Sequence, residues 1–495
     1  MIKNRSIKFN YIMNIILTMS SFIFPLITYP YVSRILMPEG MGKISFASSV
    51  IQYFVMFAQL GIPTYGIRVC AKVRDDKEKL SKTVKELLII NLVTTFLSYI
   101  VFFVALISVD RMHKELPLYL ILSSSIFLNT LGLEWLYKAL EQYEYITKRS
   151  LIFKIISIVM MFLMVHSEGD YVIYSFITVI SSSASYILNL IYAKKFVQFK
   201  NLKITKNNIV RHLKPIIVFF AMVCATSIYT HLDTIMLGVM KTDADVGYYN
   251  SAIKVRTILL SVVTSLGGVL LPRVSYYIEK HQNEEFWRII KKSIDFVFTM
   301  ALGLTVYFIL FAKPSILLLS GNEFLPAVVP MQIIVPTILV CGLSNMTGIQ
   351  ILIPFGKENI VLLSEIIGAV VDFLINLWLI PIIGVSGAAI GTLIAELVVL
   401  FTQCVFLRNY IKRIFINVQY WKLFIAIACA SFASVWVYFI NINTFLSLLI
   451  TSVIFFGFYT GILILLKCSI AKEIWEIILN RIREILHCSN RLGGN

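Results

Sequence analysis

Apolar runs of roughly twenty residues recur along the whole of this chain, and that recurrence limits its fold more than any other feature. A run of that length crosses a hydrocarbon core of about 30 Å at a rise of 1.5 Å per residue. The runs lie near 11–36, 44–69, 86–108, 116–140, 149–166, 171–193, 214–240, 246–271, 293–311, 327–353, 361–380, 385–407, 420–440 and 446–466. Composition agrees, with 58% hydrophobic and 14% charged residues, where globular domains hold roughly 45–50% and 25%. The expected fold class is an all-α membrane protein with about fourteen transmembrane helices.

The N-terminal MIKNRSIKFN is basic and precedes an apolar run, which gives it a superficial likeness to a signal peptide. The run from Tyr11 to Leu36 is too long for a signal h-region and no small-residue cleavage site follows, so it is expected to stay as the first helix. Interior prolines such as Pro25, Pro30, Pro330 and Pro336 suggest kinks. The seven cysteines have no paired spacing, and neither disulfides nor a metal site are expected.

Lys and Arg set the orientation. With both termini in the cytoplasm, inside segments hold 34 of the 44 basic residues, while outside loops hold only Lys43, Arg111, Lys114, Lys241 and Lys313. The net charge of +17 would suggest nucleic acid in a soluble protein, but stretches such as 194–214 read here as loops beside anionic headgroups. No nucleic-acid partner is expected. The tail 469–488 carries an isoleucine stripe, Ile470, Ile474, Ile478, Ile482 and Ile485, and reads as an amphipathic helix on the inner surface. The stretch 77–88 has a shorter stripe of the same kind.

An internal repeat is visible at an offset of 205 residues, which aligns Gly42 with Gly247, Ala47 with Ala252 and Arg68 with Arg273. Six spans per unit make the two repeats parallel, an arrangement that encloses a midplane site in many carriers. The expected organisation is a six-helix lobe over 1–200, a second over 201–412, two further helices over 413–468 and a cytoplasmic tail over 469–495.

Ionisable groups inside spans are costly, so each is a functional candidate. Arg34, at the outer end of the first span, reaches either the headgroups or a cavity, and Arg68 snorkels at the inner end of the second. Lys254 and Arg256 lie too deep in the eighth span to snorkel, and their spacing turns them about 200° apart. Asp233 in the seventh span is the expected counter-charge for one of them, as a cavity group or as a brace between helices. His231 is a proton-passing candidate that does not share a face with Asp233. Glu134, Asp372 and Glu396 are coupling candidates, each also able to bond a neighbouring helix. Gly384, Gly387, Ala388 and Gly391 fit close helix packing, and nothing resembles a nucleotide-binding loop.

Four segments, YPYVSRILMPEGMG (29–42), GLEWLYKALEQYEYITKRS (132–150), GIQILIPFGKEN (348–359) and NLWLIPIIGVSGAAIGTLIAE (376–396), resemble the bacterial O-antigen type flippases of polysaccharide repeats. These share a superfamily with the multidrug MATE exporters and the lipid II flippases. The resemblance implies two six-helix lobes in a V, a central cavity lined by the first, second, seventh and eighth helices, and two extra C-terminal helices. It implies a polyprenyl-diphosphate-linked oligosaccharide as cargo, moved from the inner to the outer leaflet of the cytoplasmic membrane without a cofactor. A polysaccharide polymerase and a chain-length regulator are the implied partners. Arg34 lies inside a matching segment, and Lys254 and Arg256 suit phosphate oxygens by their chemistry. A MATE exporter and a lipid II flippase are the nearest alternatives. A membrane glycan-processing enzyme would need catalytic groups at a membrane face, and the longest outside loop, 312–326, holds one Glu, one Lys and no His.

Overall fold

The computed structural model describes residues 7–198, 205–415, 419–440 and 442–468. The amphipathic tail expected over 469–488 lies outside the described residues, as does part of the 194–214 loop. A helix stands at each of the fourteen expected spans. Eight described stretches are long and apolar enough to cross a membrane, nine with one bent pair. The first of them, Ile12–Lys72, has 61 residues; at 1.5 Å per residue it would run about 90 Å, so it holds more than one crossing. Lipid-facing surface is plain along the third helix, where Phe96 is 67% and Ile107 76% exposed. A soluble monomer does not show water an apolar stripe of that size.

The chain packs as two compact units. The first comprises 1–250 with 319–324 and 373–388. It begins with α1 (Ile7–Gln59), α2 (Ile62–Lys72), α3 (Lys77–Ser108), α4 (Asp110–Lys114), α5 (Leu116–Leu131) and α6 (Glu134–Ala139). It continues through α7 (Tyr143–Met164), α8 (Tyr171–Val179), α9 (Tyr186–Ala193), α10 (Lys206–Met240) and the start of α11 (Asp243–Glu279). Its core gathers Ile62, Leu80, Val84, Leu87, Trp135, Leu136, Tyr137 and Ile216. The stripe expected over 77–88 is therefore turned into protein, on a helix capped by the Asp76 carboxylate, which accepts from the backbone N–H groups of Glu78 and Lys79.

The second unit comprises 251–318, 325–372 and 389–495. It holds the rest of α11, then α12 (Asn283–Leu310), α13 (Ala312–Leu319, all but its last residue), α14 (Val328–Ile334), α15 (Thr337–Asn345) and most of α16 (Glu358–Ile383). Most of α17 (Val385–Phe406) follows, with α18 (Ile411–Phe415), α19 (Tyr420–Val435) and α20 (Thr444–Leu465). α12 is its spine: the Tyr459 hydroxyl of α20 donates to the Thr299 carbonyl at 2.7 Å, and Tyr307 donates to the Leu448 carbonyl at 3.0 Å. Trp287 stacks on Tyr410 beside Phe355, with the Arg413 guanidinium over the indole.

Helix breaks fall inside the four resembling segments. Met37, before Pro38, has φ 58°, and Leu133 and Glu141 have φ 43° and 56°. Gly356 and Gly384 have φ 69° and 57°, the left-handed region that glycine enters without steric cost. Pro336 separates α14 from α15, where the chain bends by 43°, whereas α1 runs through Pro25 and Pro30 and departs from helical angles at Met37.

The repeat has a counterpart in the first unit. A Cβ on Gly42 would stand 1.7 Å from the Asp243 carbonyl oxygen, and one on Gly247 would stand 2.1 Å from the Pro38 carbonyl oxygen. The offset of 205 residues exchanges these two contacts, since it carries Pro38 to Asp243 as it carries Gly42 to Gly247. Ala47 and Ala252 are both buried, and Arg68 and Arg273 are both exposed. Arg111 fastens the same region: it pairs with Asp243, donates to the Gly238 carbonyl and lies 3.8 Å over the Phe46 ring.

Candidate functional site

Two backbone breaks open a cavity in the first unit. Leu60 (φ 45°) and Gly61 (φ 74°) end α1 and turn the chain into α2, and Leu133 turns α5 into α6. A Cβ on Gly61 would stand 2.6 Å from the Phe220 nitrogen, so α10 crosses directly over the first break. Below that crossing lies a cavity of about 330 Å³ walled by α1, α2, α5, α6, α9 and α10.

The lining mixes aliphatic side chains, Val55, Met56, Ile67 and Val223 among them, with polar and charged groups. Gln52, Gln59, Asn129 and Ser227 supply amide and hydroxyl groups, and Trp135 and Tyr186 supply aromatic faces. Glu134 and Lys138 form an ion pair at 2.9 Å, and His231 packs edge-on against Tyr53. Amides both donate and accept, so this wall can bond a ligand with many hydroxyls, while the rings cover an apolar face of it.

Of the residues singled out from sequence, Glu134 and His231 meet in this cavity. Arg34 is exposed, donates to the Pro30 carbonyl at 2.5 Å and packs beside Gly321. Asp233 is buried and accepts from the Tyr249 hydroxyl and, at 2.6 Å, from the Asn376 amide. Lys254 is partly buried on α11 in the second unit, and Asp372 is buried on α16.

Arg256 has a carboxylate partner in Glu396 on α17, at 2.7 Å. Its Nε donates to the Thr337 hydroxyl at 2.7 Å, and Nη2 lies 3.0 Å from the Cys341 sulfur. Arg256 and Glu396 are thus brought together, two candidates that the sequence listed under different roles.

Other polar clusters were not singled out. Glu86, fully buried, accepts from Arg211 at 2.6 Å and lies 2.8 Å from His212 Nε2, whose Nδ1 meets the Tyr65 hydroxyl at 2.8 Å. This ties α10 to α2 and α3. Arg149, at the start of the run near 149–166, is buried with Asn189 and Glu134. A buried face within an otherwise basic segment was the available signal, and it needs the packing partner to be read.

Comparison with known proteins extends these observations. Residues 7–278 match the family model described as polysaccharide biosynthesis protein. The chain is 24% identical over 393 residues to a protein of Escherichia coli (strain K12) provisionally named an O-antigen transporter, covering 79% of this chain and 94% of that one. A protein of Shigella dysenteriae under the same name is 27% identical over 389 residues, covering 77% and 95%. Among solved structures, the lipid II flippase MurJ in an inward closed conformation aligns with a TM-score of 0.70 at 16% identity, over 91% of this chain and 98% of that chain. An inward-facing MATE family multidrug transporter aligns at 0.63 with 14% identity, over 80% and 95%. At such identities the two structures establish the fold, an all-α membrane architecture.

Proposed function

The chain belongs to the polysaccharide biosynthesis protein family, and on that premise we propose that it is a flippase for a glycan carried on a polyprenyl diphosphate. It moves this lipid-linked repeat unit from the cytoplasmic to the outer leaflet of the inner membrane, supplying surface polysaccharide synthesis. The observation that carries the reading is the family match over more than half of the chain, joined by two relatives named for O-antigen transport that each align over nearly their full length.

The geometry supports it in two ways. The cavity of the first unit sets amides and a hydroxyl beside aromatic and aliphatic faces, groups that suit the hydroxyls and apolar faces of a saccharide. Lys254 and Arg256, two residues apart on α11, supply positive charge for the diphosphate, with Arg256 exchanging its Glu396 carboxylate for phosphoryl oxygens. No step of the reading requires bond making or breaking by the protein.

Loss of the chain should leave its lipid-linked glycan on the cytoplasmic leaflet. Gln52→Leu with Gln59→Leu should reduce export about tenfold at unchanged protein level, as expected for two lost hydrogen bonds to cargo. Extraction and composition of the retained lipid-linked glycan checks both, and an unaltered glycan lipid pool in cells lacking the chain would refute the assignment.

Orientation has its own test. Both termini are read as cytoplasmic, so reporter fusions at Gly169 and Asn441 should score outside, and those at Asn207 and Asn490 inside. Inversion of any one would overturn the topology.

A further inference from the structure

Two opposite faces of the first part of α1 are exposed, and they differ in chemistry. At about 100° per residue, Asn14, Thr18 and Ser21 fall within about 60° of one another, and all three are exposed. Ile12, Ile16, Met19 and Ile23 point the other way, about 140–200° from Asn14, and are between 38% and 59% exposed. Hydrocarbon covers the apolar face. A polar face opposite it, within the same span, belongs to a watery space.

α7 lies along the edge of that polar face and runs parallel to α1. The Thr147 hydroxyl donates to the Met13 carbonyl at 2.9 Å, and the Tyr31 hydroxyl donates to the Val165 carbonyl at 2.9 Å. Between these rungs Lys154 of α7 donates to Ser20 at 2.8 Å and to Ser21 at 3.1 Å, with its ammonium 5.5 Å from the centre of the Phe24 ring. Thr147 to Met13, Lys154 to Ser20 and Val165 to Tyr31 share one offset of 134 residues. The lysine therefore stays at its own level instead of reaching back to the membrane boundary, and Ser20 lies about 14 Å along α1 from Tyr11. No carboxylate on these helices offsets its charge. The acids of α1 and α7 are Glu39, paired with Lys43 at 3.3 Å, and Glu144, paired with Lys148 at 2.6 Å, and the stretch 171–193 has none. Among the described residues the ammonium has two hydroxyl acceptors, which leaves its third N–H without one.

We propose that Lys154 and the α1 face of Asn14, Thr18 and Ser21 bind the phosphoryl group of the lipid-linked substrate. The inference deepens the flippase reading and rests on it. A headgroup that crosses the membrane brings phosphoryl oxygens to a depth that resident lipid headgroups do not reach. There one oxygen accepts from the Lys154 ammonium, a charge-assisted bond, and the Asn14 amide offers further donors. The site lies wholly in the first unit and shares no residue with the amide-lined cavity.

The test reads occupancy at this place, using the full chain in liposomes. Thr18→Cys should react with a charged thiol reagent and Ile16→Cys should not, with labelling at each position read by peptide mass spectrometry. Undecaprenyl diphosphate should protect position 18, and undecaprenol, which lacks the charge, should not. Adding Lys154→Gln should raise the protecting concentration about tenfold, whereas Lys154→Arg should leave it nearly unchanged. Equal labelling at 16 and 18 would remove the watery face, and protection that ignores Lys154→Gln would remove the lysine; either result overturns the site. Equal protection by inorganic diphosphate would replace the lipid with a free anion. Export of lipid-linked glycan by the same liposomes separates the two claims: export without protection at 18 overturns this site alone, and absence of export overturns the reading on which it rests.

Discussion

Glu396→Gln is expected to lower the amount of folded protein severalfold, because it strands Arg256 in a site built for an ion pair. The two side chains are 15% and 9% exposed and meet at 2.7 Å. Breaking a buried pair by removing one member costs about 3–5 kcal/mol, whereas replacing both members with apolar groups is often neutral. Arg256→Met with Glu396→Leu should therefore restore abundance, measured by fluorescence-detected size exclusion. Glycan export should stay lost in the double variant, because the cation proposed to meet the diphosphate is gone. If export recovered along with abundance, the pair would be a brace between α11 and α17, and Arg256 would leave the site.

The second large effect is expected at the crossing of α1 with α11. Gly42→Ala puts a methyl group 1.7 Å from a backbone carbonyl, and Gly247→Ala puts one 2.1 Å from another. Neither obstacle is a side chain that can rotate away, so relief requires the helices themselves to part. Overpacking usually costs 1–3 kcal/mol; for backbone against backbone we expect the upper end of that range or above it. Either change should lower the unfolding midpoint by several degrees and reduce export sharply. Gly457→Ala and Gly461→Ala on α20 meet nothing within 4 Å, and should be neutral or stabilising by up to about 1 kcal/mol, since Ala favours helix over Gly. If Gly42→Ala behaved like these controls, the close crossing would not exist in the membrane.

The sequence made the helices legible because apolar runs of spanning length have one outcome in a bilayer. It did not mark the corners: Gly384, expected to serve close helix packing, turns the chain at φ 57° between α16 and α17, and Gly356, at φ 69°, carried no expectation. Met37, Leu133 and Glu141 adopt the same region without being glycine, so the breaks at 29–42 and 132–150 carried no local signal beyond Pro38. The site was legible only as a set of costly charges. Spacing at 100° per residue separated Lys254 from Arg256 and His231 from Asp233, but it cannot name a partner. Arg256 finds Glu396 140 residues away and Asp233 finds Asn376 143 residues away, and those meetings are made by tertiary packing. Gln52 and Gln59 went unremarked because an uncharged amide in a span costs less than an ion, although in the cavity they are the groups best suited to a hydroxylated ligand.

Transbilayer movement is the property on which the account depends. The most direct measurement reconstitutes the purified chain into liposomes carrying a polyprenyl-diphosphate-linked oligosaccharide in the inner leaflet, and follows its exposure to a membrane-impermeant glycan-oxidising enzyme outside. Wild type should expose the protected glycan, while the Arg256→Met Glu396→Leu protein, folded but lacking its cation, should leave it protected. Glycan that stays protected in wild-type liposomes would contradict the assignment as a flippase.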